Sequence, residues 1–375
     1  MLKLRFTVLT RVILLAMLAG STMLSCTRRH KLIEYEEIQL GTTGVGTKAL
    51  VTSSQTLIDL SVDNHTGFGV YGYKSVTGKT PYRQFNNTIV TPSGKTNTTW
   101  SYSPKRYWDS DARASYQFAA YWPYFDDDNT CGTTYVSESN KELTINDVPN
   151  WQPELSGNDI LVATKHGTHS EGGELAGNTV YLRFEHILAN IVIRAYYVGV
   201  QQSHVNILDL KLNGASMLTT NGSADYVMPF SQADMAKGFD SNTIVTGNGS
   251  HTLLSQATDS PVTLTEDAFC DESLADPEYD VEDVCSWFVV PSTGWSGLTL
   301  DVKYSIGDIT PSSAPSSIDA SVSNPAITIN AGTTLPHYKY IVTLKFNSAS
   351  NGVVVQSIKV ADWATKEIDT EVYNW

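Results

Sequence analysis

Along most of the chain the apolar residues fall in short alternating runs. Ile58-Asp59-Leu60-Ser61-Val62, Phe68-Gly69-Val70-Tyr71-Gly72-Tyr73, Val180-Tyr181-Leu182-Arg183-Phe184 and Leu298-Thr299-Leu300-Asp301-Val302 each place apolar groups on one face at period two. Gly, Pro, Asn and Ser break the runs every roughly eight to fifteen residues, which is the rhythm of sheets. Residues 187–198 have the length of a buried helix. Ile191, Val192, Ile193, Tyr196, Tyr197 and Val198 are β-branched or aromatic, however, and favour a strand. Its inward parity differs from that of Val180 to Phe184, so Glu185-His186 is expected to carry a bulge or a bend.

The pattern pauses at Gly199 to Ser203 and restarts at Asn206 with Ile207, Leu208, Leu210 and Leu212. It continues through Trp287 to Pro291 and Tyr338 to Phe346 to a last run at Val353 to Trp363. Strands on both sides, with no helical pattern between them, predict an all-β fold of two antiparallel sandwiches meeting near residue 200.

The first 25 residues read differently. Lys3, Arg5 and Arg11 form a basic start and Val12 to Ala19 an apolar core, the pattern of an export signal. Met23-Leu24-Ser25-Cys26 resembles a lipobox, in which Cys26 is acylated, with palmitate among the chains used, and becomes the new N-terminus. No later stretch has the eighteen or so apolar residues of a membrane span, so attachment to the outer membrane is expected through lipid at Cys26. Cys131, Cys270 and Cys285 remain. The last two are spaced to close a loop of about fifteen residues, worth about 3 kcal/mol where geometry permits a bridge. None of the three sits at zinc-ligand spacing.

Composition narrows the function. Of the 375 residues 17% are charged and 41% hydrophobic, and the net charge is −14. Nucleic acid is excluded as a partner, because phosphate binding needs a concentrated basic face. The acids concentrate at Glu266, Asp267, Asp271, Glu272, Asp276, Glu278, Asp280, Glu282 and Asp283. Alternate carboxylates there are reminiscent of a calcium loop, but Val281 stands where an EF-hand needs its turn glycine, and a solvated acidic loop is the plainer reading. His166, His169, Glu171 and Glu174 share a Gly-rich stretch that reads as a solvent loop rather than a metal clamp. His186, between apolar runs, reads as a hydrogen-bonded core histidine. No nucleophile elbow, zinc-protease helix, phosphate loop or dinucleotide fingerprint is present, so no enzyme, cofactor or metal is expected.

Several motifs recur in one order. They are Phe68 to Tyr73, Trp100 to Trp108, Tyr116 to Pro123, Asp159 to Ala163, Val180 to Asn190, Val289-Val290-Pro291, Leu300 to Tyr304, Tyr338 to Phe346 and Asp362-Trp363. Behind a lipobox-like signal, this order resembles the fimbrillins of type V pili in anaerobic Gram-negative bacteria, in particular the fimbrillin-like lipoproteins. The resemblance implies two transthyretin-like β-sandwich domains in tandem. The layout is then a signal peptide at 1–25, a lipidated segment at 26–48, sandwiches at 49–200 and 201–365, and a tail at 366–375. It implies a structural pilus subunit exported through the periplasm to the cell surface, contributing to adhesion to host or bacterial surfaces, with other subunits as partners.

In the fimbrillins a protease cutting after Arg or Lys removes an N-terminal strand, and a neighbour's segment fills the groove. Lys48, in Gly44-Val45-Gly46-Thr47-Lys48, is the first choice for the cut and Arg29 the second. Residues 31–40 supply the strand to be removed. The donor is the tail, with Ile368 and Val372 on one face and Tyr373 and Trp375 on the other. The alternative is a surface lipoprotein that binds glycans on an aromatic platform of Trp100, Tyr102, Tyr107, Trp108 and Trp122, against the ordinary expectation that these rings are core.

Overall fold

In this computed structural model the described residues are 36–43, 58, 61, 66–94, 99–111, 113–124, 134–137, 142–153, 159–170, 173–175, 177–199, 201, 203–219, 221–230, 238–244, 246–256, 260–271, 281–291, 299–308, 320–323, 338–347 and 352–362. The first strands are β1 Gln39–Thr43, β2 Phe68–Ser75, β3 Tyr82–Pro92, β4 Trp100–Ser101, β5 Ser115–Trp122, β6 Thr134–Ser137, β7 Glu142–Pro149 and β8 Trp151–Pro153. They are followed by β9 Leu161–Thr168, β10 Thr179–Arg183, β11 Glu185–His186, β12 Ala189–Val198, β13 Ser203–Leu218, β14 Ser223–Pro229 and β15 Thr246–Ser255. The last are β16 Val262–Leu264, β17 Glu282–Val289, β18 Thr299–Asp308, β19 Ala320–Ser323, β20 Tyr338–Asn347 and β21 Gly352–Asp362. The all-β reading holds.

An N-terminal sheet runs in the order β11-β9-β5-β2-β3-β4, faced by the β1-β10 pair. The remaining strands form the sheets β21-β20-β12-β17-β8, β15-β13-β18-β19 with β16 on β13, and β14-β7-β6. Most ladders are antiparallel. The exceptions are β1-β10 and β12-β20, whose partners lie more than a hundred residues apart, as parallel pairing needs a long connection.

The strand β2 departs from the expected one-sided pattern, since every residue from Phe68 to Tyr73 is buried. Period two still sorts them. Phe68 and Val70 pack with Ile38, Leu40, Trp100 and Phe184, while Tyr71 and Tyr73 join a second core with Leu143, Ile145 and Phe230. A central strand of a sheet covered on both faces has no solvent side to advertise. Gly69 is required there, because a Cβ would fall 2.4 Å from the Tyr121 ring that lies across β2.

Residues 180–186 contain the expected bend. Val180 and Leu182 of β10 are buried and Tyr181 and Arg183 point outward, after which the chain changes sheets to pair β11 with β9. The stretch 189–198 is a strand, β12, buried on both faces. It pairs with β17 and β20, and β6 to β8 pair with β7, β14 and β17, so the ladders cross the division at residue 200. Local alternation marks a strand but says nothing of its partner. One core runs through the crossings, joining Tyr73 and Tyr121 of the N-terminal sheet to Ile187, Leu188, Phe288 and Tyr340.

Candidate functional site

Residues 36–43 form a strap on the N-terminal sheet. Ile38 and Leu40 alternate inward and are 0% and 3% exposed, in the core with Val180, Leu182, Trp108 and Tyr102. Hiding two such side chains contributes about 1.5–3 kcal/mol each. On one side β1 lies parallel to β10, in the register Leu40 to Val180 and Thr42 to Leu182, and Gln39 N donates to Asn178 O at 2.8 Å. On the other side Ile38 N donates to Arg106 O and Trp108 N to Glu36 O, both at 2.9 Å. From below, the Tyr102 hydroxyl donates to Ile38 O. Burial pushes the Tyr102 phenol up to about 12, so it stays a donor throughout the physiological range.

The strap's acidic start meets a basic segment. Lys105 Nζ lies 2.6 Å from Glu37 Oε1, and His169 Nε2 lies 3.6 Å from Glu36 Oε2. His169 stacks flat on Trp108, at 4.2 Å and 3°. Nearby, Asp109 N donates to Tyr116 Oη at 2.6 Å, and Lys74 at 2.8 Å holds the Asp109 carboxyl below its usual range. The strand expected at 31–40 overlaps the strap only at residues 36–40, since residues 31–35 lie outside the described residues and β1 itself is Gln39–Thr43. Sequence reasoning missed Tyr102 and Lys105 as the strap's holders. Glu36-Glu37 facing a Lys105-Arg106 pair some seventy residues away left no local signal.

The aromatic platform is not formed. Trp100, Tyr102, Trp108 and Trp122 are 8%, 7%, 3% and 1% exposed, and of the five only Tyr107, at 47%, reaches solvent. Trp100 packs edge-on to Phe68 at 4.9 Å, Trp108 to Tyr116 at 4.7 Å, and Trp122 Nε1 donates to Ser61 Oγ at 3.0 Å. These rings fill the space between the N-terminal sheet and the β1-β10 pair, which leaves none of the flat exposed area that sugar stacking needs.

His186 is a core histidine. Its Nδ1 lies 2.7 Å from Asp159 Oδ2, and both side chains are fully buried. Asp159 precedes β9 and His186 ends β11, so the pair ties together two passages of the chain between sheets, beside the bond from Ile187 N to Ile160 O at 3.2 Å. His166 belongs to β9, opposite Gln117, not to a loop, and His169 is engaged with Trp108. Glu174 accepts from Thr168 N at 3.4 Å, while Glu171 lies outside the described residues. Among the described residues no three metal-ligating side chains converge.

The acidic run is engaged at its C-terminal end by protein donors. Glu282 accepts from the Thr265 amide and hydroxyl, and Asp283 pairs with Arg194 at 2.6 Å. Residues 272–280 lie outside the described set. Cys270 and Cys285 form no disulfide, which corrects the suggested bridge: Cys270 is buried beside Tyr196 and Val198, while Cys285 lies on β17 opposite Ile193. Burial pushes the Cys285 thiol up to about 12 and keeps it protonated. Cys26, Arg29, Lys48, Cys131 and the tail residues Ile368, Val372, Tyr373 and Trp375 lie outside the described residues.

The model of the fimbrillin-like family matches residues 47–363. The chain belongs to the fimbrillin-like family. Its fold is that of a fimbrial protein from Bacteroides vulgatus, at 17% identity and a TM-score of 0.58 over 87% of this chain and 99% of that one. A candidate cell-adhesion protein from Bacteroides uniformis is similar at 14% identity and a TM-score of 0.43, over 88% of this chain and 99% of that one. No curated protein matches. Membership of this family places the protein among fimbrial proteins. The strap at 36–43 begins ahead of the part that defines this family.

Proposed function

We propose that this fimbrillin-like protein is a structural pilus subunit, exported through the periplasm as a lipoprotein and assembled by protease-triggered strand exchange. The observation that carries the reading is the strap. It is a short element ending in β1, buried through alternate residues, bonded to β10 on one side and residues 106–108 on the other, and followed in sequence by Gly44 to Lys48. A cut after Lys48, the first choice, frees the strand from the body, whereas a cut after Arg29, the second choice, removes only the residues ahead of it. Loss of the strand would leave Val180 and Leu182 beside an open apolar groove with an unpaired β10 edge, which an extended segment from a neighbour can complete. The tail 366–375, with Ile368 and Val372 on one strand face and Tyr373 and Trp375 on the other, is the donor in this reading. Acylation at Cys26 holds the precursor in the outer membrane, and assembled subunits serve adhesion at the cell surface.

Limited trypsin treatment of the purified full chain, followed by size analysis, tests the reading. Cleavage near Lys48 should yield ladders of oligomers, and deletion of residues 366–375 should abolish them. Trimmed protein that stays monomeric would overturn it. In cells, Cys26→Ala should release the protein from membranes or stall its processing, and a mature N-terminus elsewhere without acyl chains would remove the lipoprotein part.

A further inference from the structure

The groove filled by β1 has a charged rim as well as an apolar floor. Glu36 and Glu37 immediately precede the buried Ile38 and Leu40, and they meet His169 and Lys105. The backbone bonds from Trp108 N to Glu36 O and from Ile38 N to Arg106 O clamp the strand on both sides of the Lys105 contact. Charge and register are therefore coupled. A carboxylate reaches Lys105 only when the next residue occupies the buried place of Ile38 and the one two further on that of Leu40.

We propose that Lys105 is a carboxylate-recognition site that sets the register of any extended segment filling this groove, and that in the assembled pilus it takes Glu367 from a second copy of this chain. This rests on the strand-exchange reading above. The tail contains a carboxylate directly before an apolar residue twice, at Glu367-Ile368 and Glu371-Val372. With Glu367 in the place of Glu37, Ile368, Thr370 and Val372 take the inward places of Ile38, Leu40 and Thr42, three β-branched residues in a row on one face. With Glu371 there instead, Asn374 would bury a whole amide in the place of Leu40, a larger polar cost than the single Thr370 hydroxyl of the first register.

The first register also carries two adjustments. Lys366 replaces Glu36, so His169 loses its carboxylate and Lys105 becomes the deciding contact. Glu371 replaces Gly41, where a Cβ comes within 3.1 Å of Thr179 Cγ2 and 3.3 Å of the Tyr181 ring. Tyr181 is 55% exposed and has room to turn.

Charge reversal in the full chain tests this. Lys105→Glu, Glu367→Lys and the double variant are each treated with trypsin, and the oligomer ladder is compared at low salt and at high salt. Each single reversal should lower the oligomer yield at low salt by about fivefold, and the double variant should restore it to within about twofold of the parent. The parent's yield should fall at high salt, where exposed charges are screened. Glu367→Lys leaves the strap untouched but adds a tryptic site beside Lys366, so mass spectrometry must first show the tail intact in every trimmed variant. With intact tails, its effect separates recognition of the incoming strand from any loosening of β1 by Lys105→Glu. A parent that ladders while the reversals ladder equally well, or a double variant no better than the singles, overturns the register site and leaves strand exchange standing. A parent that never ladders overturns both.

Discussion

A buried imidazole makes the stability of this protein depend on pH in a way that one substitution should remove. His251 of β15 is 7% exposed, lies flat on Trp151 of β8 at 4.1 Å and 20°, and meets Trp287 of β17 edge-on at 4.5 Å and 89°. Both indole N–H groups are committed elsewhere, Trp151 Nε1 to Leu218 O at 3.4 Å and Trp287 Nε1 to Leu253 O at 2.7 Å. Burial pushes the imidazole down from 6.5 to about 4, so the folded chain holds it neutral. The sign follows from linkage. On acidification the unfolded chain takes up its proton near pH 6.5 and the folded one only near 4, so stability falls as pH drops through that window and levels off below it. At about 1.4 kcal/mol per pH unit the full gap is worth about 3 kcal/mol, and the indole faces, which attract an imidazolium, reduce it, leaving about 1–3 kcal/mol.

His251→Phe keeps an aromatic ring between the two indoles and removes the titration. Urea unfolding of both proteins from pH 7.5 to 4 should show the parent losing about 1–3 kcal/mol more than the variant, with the divergence beginning near pH 6.5. Carboxylates contribute equally to both curves and cancel in the difference. Parallel curves would refute the reasoning, because they would mean that the folded protein accommodates the charged ring at no cost.

Asp159→Asn should destabilise the fold by about 3–5 kcal/mol, because it leaves His186 buried without its carboxylate, and Asp159→Leu combined with His186→Leu should cost less than the sum of the two single changes. Additive losses in that double-mutant cycle would show that the two side chains do not act as a pair. Thermal melting with and without millimolar calcium should give the same transition, since Glu282 and Asp283 are already engaged by Thr265 and Arg194. A rise in the transition temperature with calcium, as mass action requires of a ligand that binds the folded state, would return the acidic run to the cation reading.

Much of the strand inventory was legible in the sequence, because alternation is a local property of the backbone: the pleat sends successive side chains to opposite faces wherever a strand lies. Val180 to Arg183 and Leu300 to Tyr304 are strands for that reason, whereas residues 189–198, buried on both faces, were legible through their β-branched and aromatic side chains. The strap was legible in part, as a segment 31–40 ahead of a Gly-rich stretch, but its extent and its inward residues Ile38 and Leu40 came from the structure. What pairs with what is a different kind of fact. That β12 bonds β17 and β20, that β2 is buried on both faces, and that the aromatics of residues 100–122 close a core instead of lining a platform all depend on which surfaces meet after folding. The partners of functional side chains are equally nonlocal: Tyr102 reaches Ile38 across sixty-four positions, and Asp159 reaches His186 across two strands. Hydrophobic periodicity records only that a face is hidden, whereas the choice of what hides it is made by packing among segments far apart in the chain.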